Sequence, residues 1–171
     1  FDNIKSLLFD GSNTSLQTSG NSTLADATYT FWAKSSVSTS QNVFGHGGER
    51  IGAFYFNFFQ NRPFLYLNTS FWRYWDDTSK QDDGQWHHWA VYVDADDITN
   101  CKLYCDGVLQ NVNQTKSTDT NANAYTQNLT IGARDTSAGG ILFTGNIDEF
   151  GWFDTELDAE AVTAIYNSGV P

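Results

Sequence analysis

The sequence predicts an all-β sandwich with one short helix near the C-terminus, and three observations carry that expectation. About ten short apolar runs are separated by turn signals, which is sandwich spacing rather than strand–helix alternation. The stretch from Trp86 to Gly107 reads as two antiparallel strands in the middle of a sheet. Only one segment carries helical spacing together with a start and a stop signal.

The central stretch justifies itself residue by residue. Trp86, His88, Ala90 and Tyr92 share one face of an extended strand, and His87, Trp89, Val91 and Val93 share the other. Both faces are apolar, so the strand expects cover on both, one from the opposing sheet and one from loops or a ligand. Ala95 to Asn100 is polar and too short for a helix that packs. Cys101 to Cys105 is the second strand, closed by Asp106-Gly107, a tight-turn dipeptide. The two cysteines lie four residues apart, roughly 13 Å at about 3.3 Å per residue. A disulfide needs Cα atoms within about 7 Å, so both thiols are expected free and inward.

The remaining elements follow in order. Ser6 to Gly11 is a short strand ending in a turn, and Leu16 begins another. Tyr29 to Lys34 alternates as a strand. Val43-Phe44 leads into Gly45-His46-Gly-Gly48, read as a flexible turn. Ile51 to Phe59 and Phe64 to Asn68 are two strands joined through Gln60 to Pro63. Phe71 to Trp75 is a strand or a loop laid over the sheet. Asn111 to Thr126 reads as a long polar excursion without periodicity. Asn128 to Gly132 is a strand, and Ile141 to Phe153 holds the last strand or strands, with a break expected near Gly145-Asn146. The helix begins at Asp158 as N-cap. Val162, Ile165 and Tyr166 recur at its spacing, Leu157 and Val162 can form a staple, and Gly169 stops it.

Length and charge bound the function. The 171 residues make one domain, 1–171, with no linker or internal repeat. The chain opens at Phe1 and is expected to be a processed product or part of something larger. A net charge of −11 repels phosphate backbones and anionic membrane surfaces, so nucleic acid is a poor partner. No apolar run approaches the roughly 20 residues of a membrane span, so no membrane insertion is expected. Cations, neutral sugars and basic proteins remain.

Four stretches together resemble a known family. Leu8-Phe9-Asp10-Gly11 is similar to its opening strand, and Tyr29-Thr-Phe-Trp-Ala-Lys34 to an early central strand. Asp83-Gly-Gln-Trp-His-His-Trp-Ala90 with Leu103-Tyr-Cys-Asp-Gly107 resembles its central hairpin. Gly145-Asn-Ile-Asp-Glu-Phe150, with the helix and Ile165-Tyr-Asn-Ser-Gly169, resembles its ending. In this order they resemble the laminin-G-like, concanavalin A-like lectin/glucanase superfamily. The resemblance implies a jelly-roll β-sandwich of two antiparallel sheets. It is weak for function, because this fold hosts lectins, adhesion modules, glycan-cleaving enzymes and structural domains.

Several constellations then compete for a role. Residues 51–75 hold 11 of the 27 aromatics. Phe54, Phe56 and Phe58 are expected in the core. Trp72, Tyr74 and Trp75 divide between sugar stacking, a partner interface and plain packing. Arg73, Asp76 and Asp77 would hydrogen-bond a sugar stacked there. His46, before Arg50, is the histidine freest to touch a ligand. His87 and His88 point apart, one of them expected hydrogen-bonded in the core. Proteins similar in fold often hold a structural calcium, and the resemblance places it at Asp148 and perhaps Asp10; hard cations take oxygen ligands. Glu156-Leu-Asp-Ala-Glu160 spells a glucanase-like E-x-D-x-E. That chemistry needs carboxyls projecting together from a strand, whereas here the motif straddles a helix start. The expected function is a non-catalytic, lectin-like carbohydrate-binding or adhesion module on an extracellular or virion surface. Its partner would be a glycan or surface polysaccharide, at a rim formed by His46, Arg50 and Trp72 to Asp77. The alternative is a structural domain of a phage or surface appendage, whose aromatic belt packs on a homo-oligomer partner or neighbouring structural protein. The same belt is expected to cover the second face of the Trp86–Gly107 strands.

Overall fold

The computed structural model describes residues 6–19, 22–23, 25–46, 54–60, 62–67, 71–76, 78–116, 126–134 and 141–169. In chain order the strands are β1 (Leu7–Asp10), β2 (Leu16–Gln17), β3 (Ser22–Thr23), β4 (Ala27–Lys34), β5 (Gln41–His46), β6 (Phe54–Phe59), β7 (Arg62–Leu67), β8 (Trp72–Trp75), β9 (His87–Val93), β10 (Lys102–Cys105), β11 (Val108–Leu109), β12 (Val112–Lys116), β13 (Thr126–Gln127), β14 (Leu129–Ile131) and β15 (Thr144–Phe153), followed by helix α1 (Ala159–Ser168). One antiparallel sheet has the order β1-β15-β4-β9-β10-β11. The other has the order β12-β8-β7-β6-β5-β14-β2, and β3 pairs with β13 apart from both. This is the jelly-roll sandwich the sequence predicts.

The core lies between the two large sheets. Tyr29, Phe31 and Ala33 of β4, Trp89, Val91 and Val93 of β9, and Leu103 and Cys105 of β10 pack toward Phe44, Phe54, Phe56, Phe58, Leu65, Leu67 and Trp75. Each aromatic removes a large apolar area from water, so these rings dominate the folding energy. Both cysteines are buried free thiols. Burial pushes the Cys101 thiol up to about 12, which keeps it protonated and unreactive at neutral pH. The turn leaving β10 has Asp106 at φ 51° and Gly107 at φ 77°. Two successive positive φ values define the tight turn that Asp-Gly favours.

The second face of β9 and β10 differs from expectation. Helix α1 covers it, not the aromatic belt: Val162 and Leu157 pack on Ala90 and Tyr104, and the Tyr166 ring lies 5.7 Å from Trp32 and 6.1 Å from His88. The Asp158 carboxylate caps the helix by accepting from the Ala161 amide at 2.8 Å. Gly169 follows the last turn in an extended conformation.

Three further differences are local. Residues 112–116 are not a polar excursion but the edge strand β12, which pairs with β8; residues 117–125 lie outside the described residues. The irregularity in β15 falls between Asp148 and Gly151, where Glu149 takes φ 47°, not at Gly145-Asn146. The hydrogen-bonded histidine is the half-buried His87. His88 is the buried one, and neither of its ring nitrogens reaches a hydrogen-bond partner among the described residues.

His88 therefore sets a pH dependence. Burial holds its pKa down to about 4, below the ordinary 6.5, with Asp106 opposing in part. The folded ring stays neutral while the unfolded chain takes a proton below about 6.5. Stability is thus full above pH 6.5 and is lost as pH falls toward 4, by on the order of 3 kcal/mol. Urea unfolding between pH 7 and 4 is expected to show this loss, and His88→Phe to flatten it. A slope that survives the substitution would assign the effect elsewhere.

Candidate functional site

Strand alternation builds the site. In β6 the side chains of Phe54, Phe56 and Phe58 enter the core, so Tyr55, Asn57 and Phe59 face outward. In β7 Leu65 and Leu67 enter the core, and Phe64 and Tyr66 face outward. In β8 Trp75 enters the core, so Trp72 and Tyr74 face outward. Register then aligns the outward set, because Tyr55 opposes Tyr66, Asn57 opposes Phe64, Phe64 opposes Tyr74 and Tyr66 opposes Trp72.

The result is a continuous aromatic platform on the outer face of the seven-stranded sheet. Tyr55 stacks on Tyr66 with centroids 4.6 Å apart. Phe64 lies 4.4 Å from Tyr74, and Trp72 meets Tyr74 edge-on at 5.1 Å and 74°. Phe59 joins Phe64 at 5.7 Å. Phe64 is buried by its neighbours, while Tyr55, Phe59, Tyr66, Trp72 and Tyr74 are half-buried. Helix α1 is on the opposite side of the sandwich. Beside the rings lies a groove of about 160 Å³ lined by Asn42, Asn57, Tyr55, Phe59, Phe64, Tyr74, Arg134 and Ile141. Asn42 opposes Asn57 across β5 and β6. The Asn42 amide nitrogen donates to the Ile141 carbonyl at 3.0 Å. The Arg134 guanidinium lies 6.0 Å from the Tyr55 ring centroid.

Several sequence-predicted site residues fall elsewhere. His46 is not exposed: it ends β5 in the core, 0% accessible, with Nε2 3.1 Å from the Tyr29 hydroxyl. Trp75 is likewise fully buried. Arg73 is drawn inward, where its guanidinium donates to the Cys101 carbonyl and, at 3.0 Å, to the Thr115 hydroxyl. Among the described residues of the predicted glycan rim, Trp72 and Tyr74 join the platform. Asp76 is exposed and accepts from the Asn113 amide at 2.9 Å. Arg50 and Asp77 lie outside the described residues.

The acidic candidates do not converge either. Asp10 pairs with Thr144 across β1 and β15, so Asp148 stands four residues further along, roughly 13 Å at about 3.3 Å per residue. That is too far for the two carboxylates to hold one ion. Asp10 instead accepts from the Ser12 amide and hydroxyl and the Asn13 amide, which hold its carboxyl well below the usual range. His87, Cys105 and Asp106 bring ligand atoms within 4.8 Å of one another. The Lys80 ammonium, 2.8 Å from Asp106, opposes a cation there. Asp106 bridges Lys80, His87 and the His88 amide; burial raises its carboxyl, but these donors outweigh that and hold it low. Within E-x-D-x-E, Glu156 pairs with Lys102 and Asp158 caps α1.

A second, larger cavity of about 410 Å³ opens at the sandwich edge between Arg73, Trp75, Asp94, Lys102, Val112 and Glu156. Its lining mixes both charges, and its acids are committed: Asp94 accepts from the Asp96 and Asp97 amides and from Asn100.

Tyr55, Phe59, Phe64, Tyr66, Asn42, Asn57 and Arg134 were not expected as site residues. The signal for Tyr55 and Phe59 was available. Phe54-Tyr-Phe-Asn-Phe-Phe59 is aromatic on both alternations, and in a two-layer sandwich only one of its faces meets the core.

A family described as the concanavalin A-like lectin/glucanases superfamily matches residues 10–163. No curated protein sequence matches the chain. Among solved structures, a native heptameric SAP-like pentraxin from Limulus polyphemus is similar, with TM-score 0.72 at 14% identity over 93% of this chain and 80% of that one. Domains LG4-5 of the mouse laminin alpha1 chain give TM-score 0.65 at 13% identity over 86% of this chain; the match spans 40% of the laminin fragment. The CBM40 module of a Ruminococcus gnavus IT-sialidase, solved bound to alpha2,3 sialyllactose, gives TM-score 0.64 at 14% identity over 91% of this chain and all of that one.

The face assignment predicts opposite costs for neighbouring tryptophans. Trp75→Ala is expected to cost about 3–5 kcal/mol in chemical denaturation, because it empties a core position. Trp72→Ala, on the platform, is expected to cost about 1 kcal/mol or less. Equal losses would contradict the inward and outward division of β8.

Proposed function

The chain belongs to the concanavalin A-like lectin/glucanase superfamily, and we propose that it is a non-catalytic carbohydrate-binding module working on an extracellular or virion surface. The observation that carries this reading is the platform of Tyr55, Phe59, Phe64, Tyr66, Trp72 and Tyr74 on the outer sheet face. Sugars present apolar C–H faces that lie flat on aromatic rings, while polar groups at the edge fix their hydroxyls. Ligand sites in general pair apolar walls with a few placed polar groups, and a groove lined in part by Arg134 lies beside the rings. The platform follows the sheet across three strands, which suits an extended glycan better than a single small molecule. The sugar-bound Ruminococcus module is similar in fold and lends support.

A second reading has one observation in its favour. Aromatic rings also dominate protein interfaces, and the similar pentraxin is a heptamer. In that reading the platform would be covered by another copy or a neighbouring structural protein.

Glycan-array retention followed by calorimetric titration separates them. The binding reading expects retention of wild type and at least about a tenfold loss of affinity in Trp72→Ala and Tyr66→Ala, each ring contributing roughly 1–2 kcal/mol. No retention of any glycan, together with concentration-dependent oligomers that Trp72→Ala dissolves, would overturn it in favour of assembly.

A further inference from the structure

The cavity of about 410 Å³ opens where the two sheets end in the edge strands β11 and β12. Arg73 lines it and is 9% accessible. Its Nε donates to the Thr115 hydroxyl at 3.0 Å and its Nη1 to the Cys101 carbonyl. Both acceptors are neutral. The third nitrogen, Nη2, has no hydrogen-bond partner among the described residues, yet it is not one of their sealed polar atoms, so it keeps access to solvent. The guanidinium forms no ion pair among the described residues either. The acids nearby are committed elsewhere. Glu156 pairs with Lys102, Asp94 accepts from the Asp96, Asp97 and Asn100 amides, and Asp97 accepts from Thr99. A buried charge is costly unless it is paired. Burial pushes the Arg73 pKa down, and Cys101 and Asp97 oppose that only in part.

We infer that this cavity binds a small apolar monocarboxylate, which sets its carboxylate on Arg73 and its hydrocarbon body against Leu109 and Val112. The site is separate from the aromatic platform and does not rest on the carbohydrate reading. Charge complementarity selects the head group. A guanidinium with an open N–H donor matches a carboxylate in charge and in geometry. A neutral hydroxyl would accept from Nη2 but leave the charge uncompensated, and a metal cation would face Arg73 directly. Arg73 and Lys102 stand against Asp94 and Glu156 in the lining, so the walls are neutral as a whole. One added negative charge pairs with Arg73, whereas a dianionic phosphate would bring twice the repulsion from the two acids. The net charge of −11 also disfavours polyanions before contact. The exposed apolar residues select the body. Leu109 is 56% and Val112 43% accessible at the edge of the cavity, and a hydrocarbon chain laid there removes both from water. The volume lies within the roughly 300–1,000 Å³ of small-molecule sites.

Calorimetric titration at pH 8 with octanoate, acetate, 1-octanol and octyl phosphate tests this, together with NMR shift mapping of the octanoate complex. Octanoate is expected to bind, with shift changes at Arg73, Leu109, Gln110 and Val112. Acetate lacks the body, 1-octanol lacks the charge and octyl phosphate carries too much of it, so each is expected to bind at least about tenfold more weakly. Arg73→Met keeps the length and removes the charge, and is expected to bring octanoate down to the affinity of 1-octanol. Leu109→Gln, at an exposed position, is expected to lose octanoate affinity several-fold at an unchanged melting temperature, which decides the matter should the methionine variant fail to fold. Binding of 1-octanol as tight as octanoate would overturn the inference, as would tighter octyl phosphate or no binding of octanoate. So would shift changes confined to the platform rings, or wild-type octanoate affinity in folded Arg73→Met or in Leu109→Gln. None of these outcomes bears on glycan retention by the platform.

Discussion

Packing of Tyr29, Phe31, Trp89 and Val91 on one sheet against Phe44, Phe54 and Phe56 on the other is the contact from which the rest of the molecule follows. These residues occupy alternate positions in their strands. Once that alternation is buried, the intervening side chains are committed to the two outer faces. A slip of one residue would exchange Phe56 for Asn57 and Trp89 for His88, placing polar groups in the core. The register is therefore held by the hydrophobic effect itself, and the character of both outer faces is its by-product.

The two outer faces are resolved differently. On the six-stranded sheet, Ala90, His88 and Tyr104 receive helix α1 through Val162, Leu157 and Tyr166. The cost is His88, neutral and without a hydrogen-bond partner among the described residues, beneath the helix. On the seven-stranded sheet the rings cover one another instead, and Phe64 is buried against Tyr55, Phe59, Tyr66, Trp72 and Tyr74. One face is closed by helix α1, and on the other, among the described residues, the rings pack against one another.

Much of the fold was legible because its signals are local. The doubled alternation from Trp86 to Val93, the Asp106-Gly107 turn and the Asp158 cap each follow from residues within a few positions of one another. The site was legible only in part, because it is assembled from four strands. Trp72 and Tyr74 could be singled out, but adjacency in sequence grouped them with Arg73 and Trp75, which β8 sends to the opposite face. His46 looked free because Gly45, Gly47 and Gly48 flank it, yet β14 and β6 pair on either side and seat it beside Tyr29. Asp10 and Asp148 suggested a shared ion until strand register set them four residues apart. Asn42 and Asn57 carry no sequence signal at all, since what brings them together is a cross-strand pairing.

Residue-resolved mapping of glycan contact tests the central assignment most directly. In titration of isotopically labelled protein with a retained neutral oligosaccharide, followed by NMR, shift changes are expected to cluster on Tyr55, Asn57, Tyr66, Trp72 and Tyr74, with the amides of β9 and α1 unmoved. Changes concentrated instead at Lys102, Gln110 and Glu156, around the edge cavity, would contradict the outer aromatic face as the binding surface.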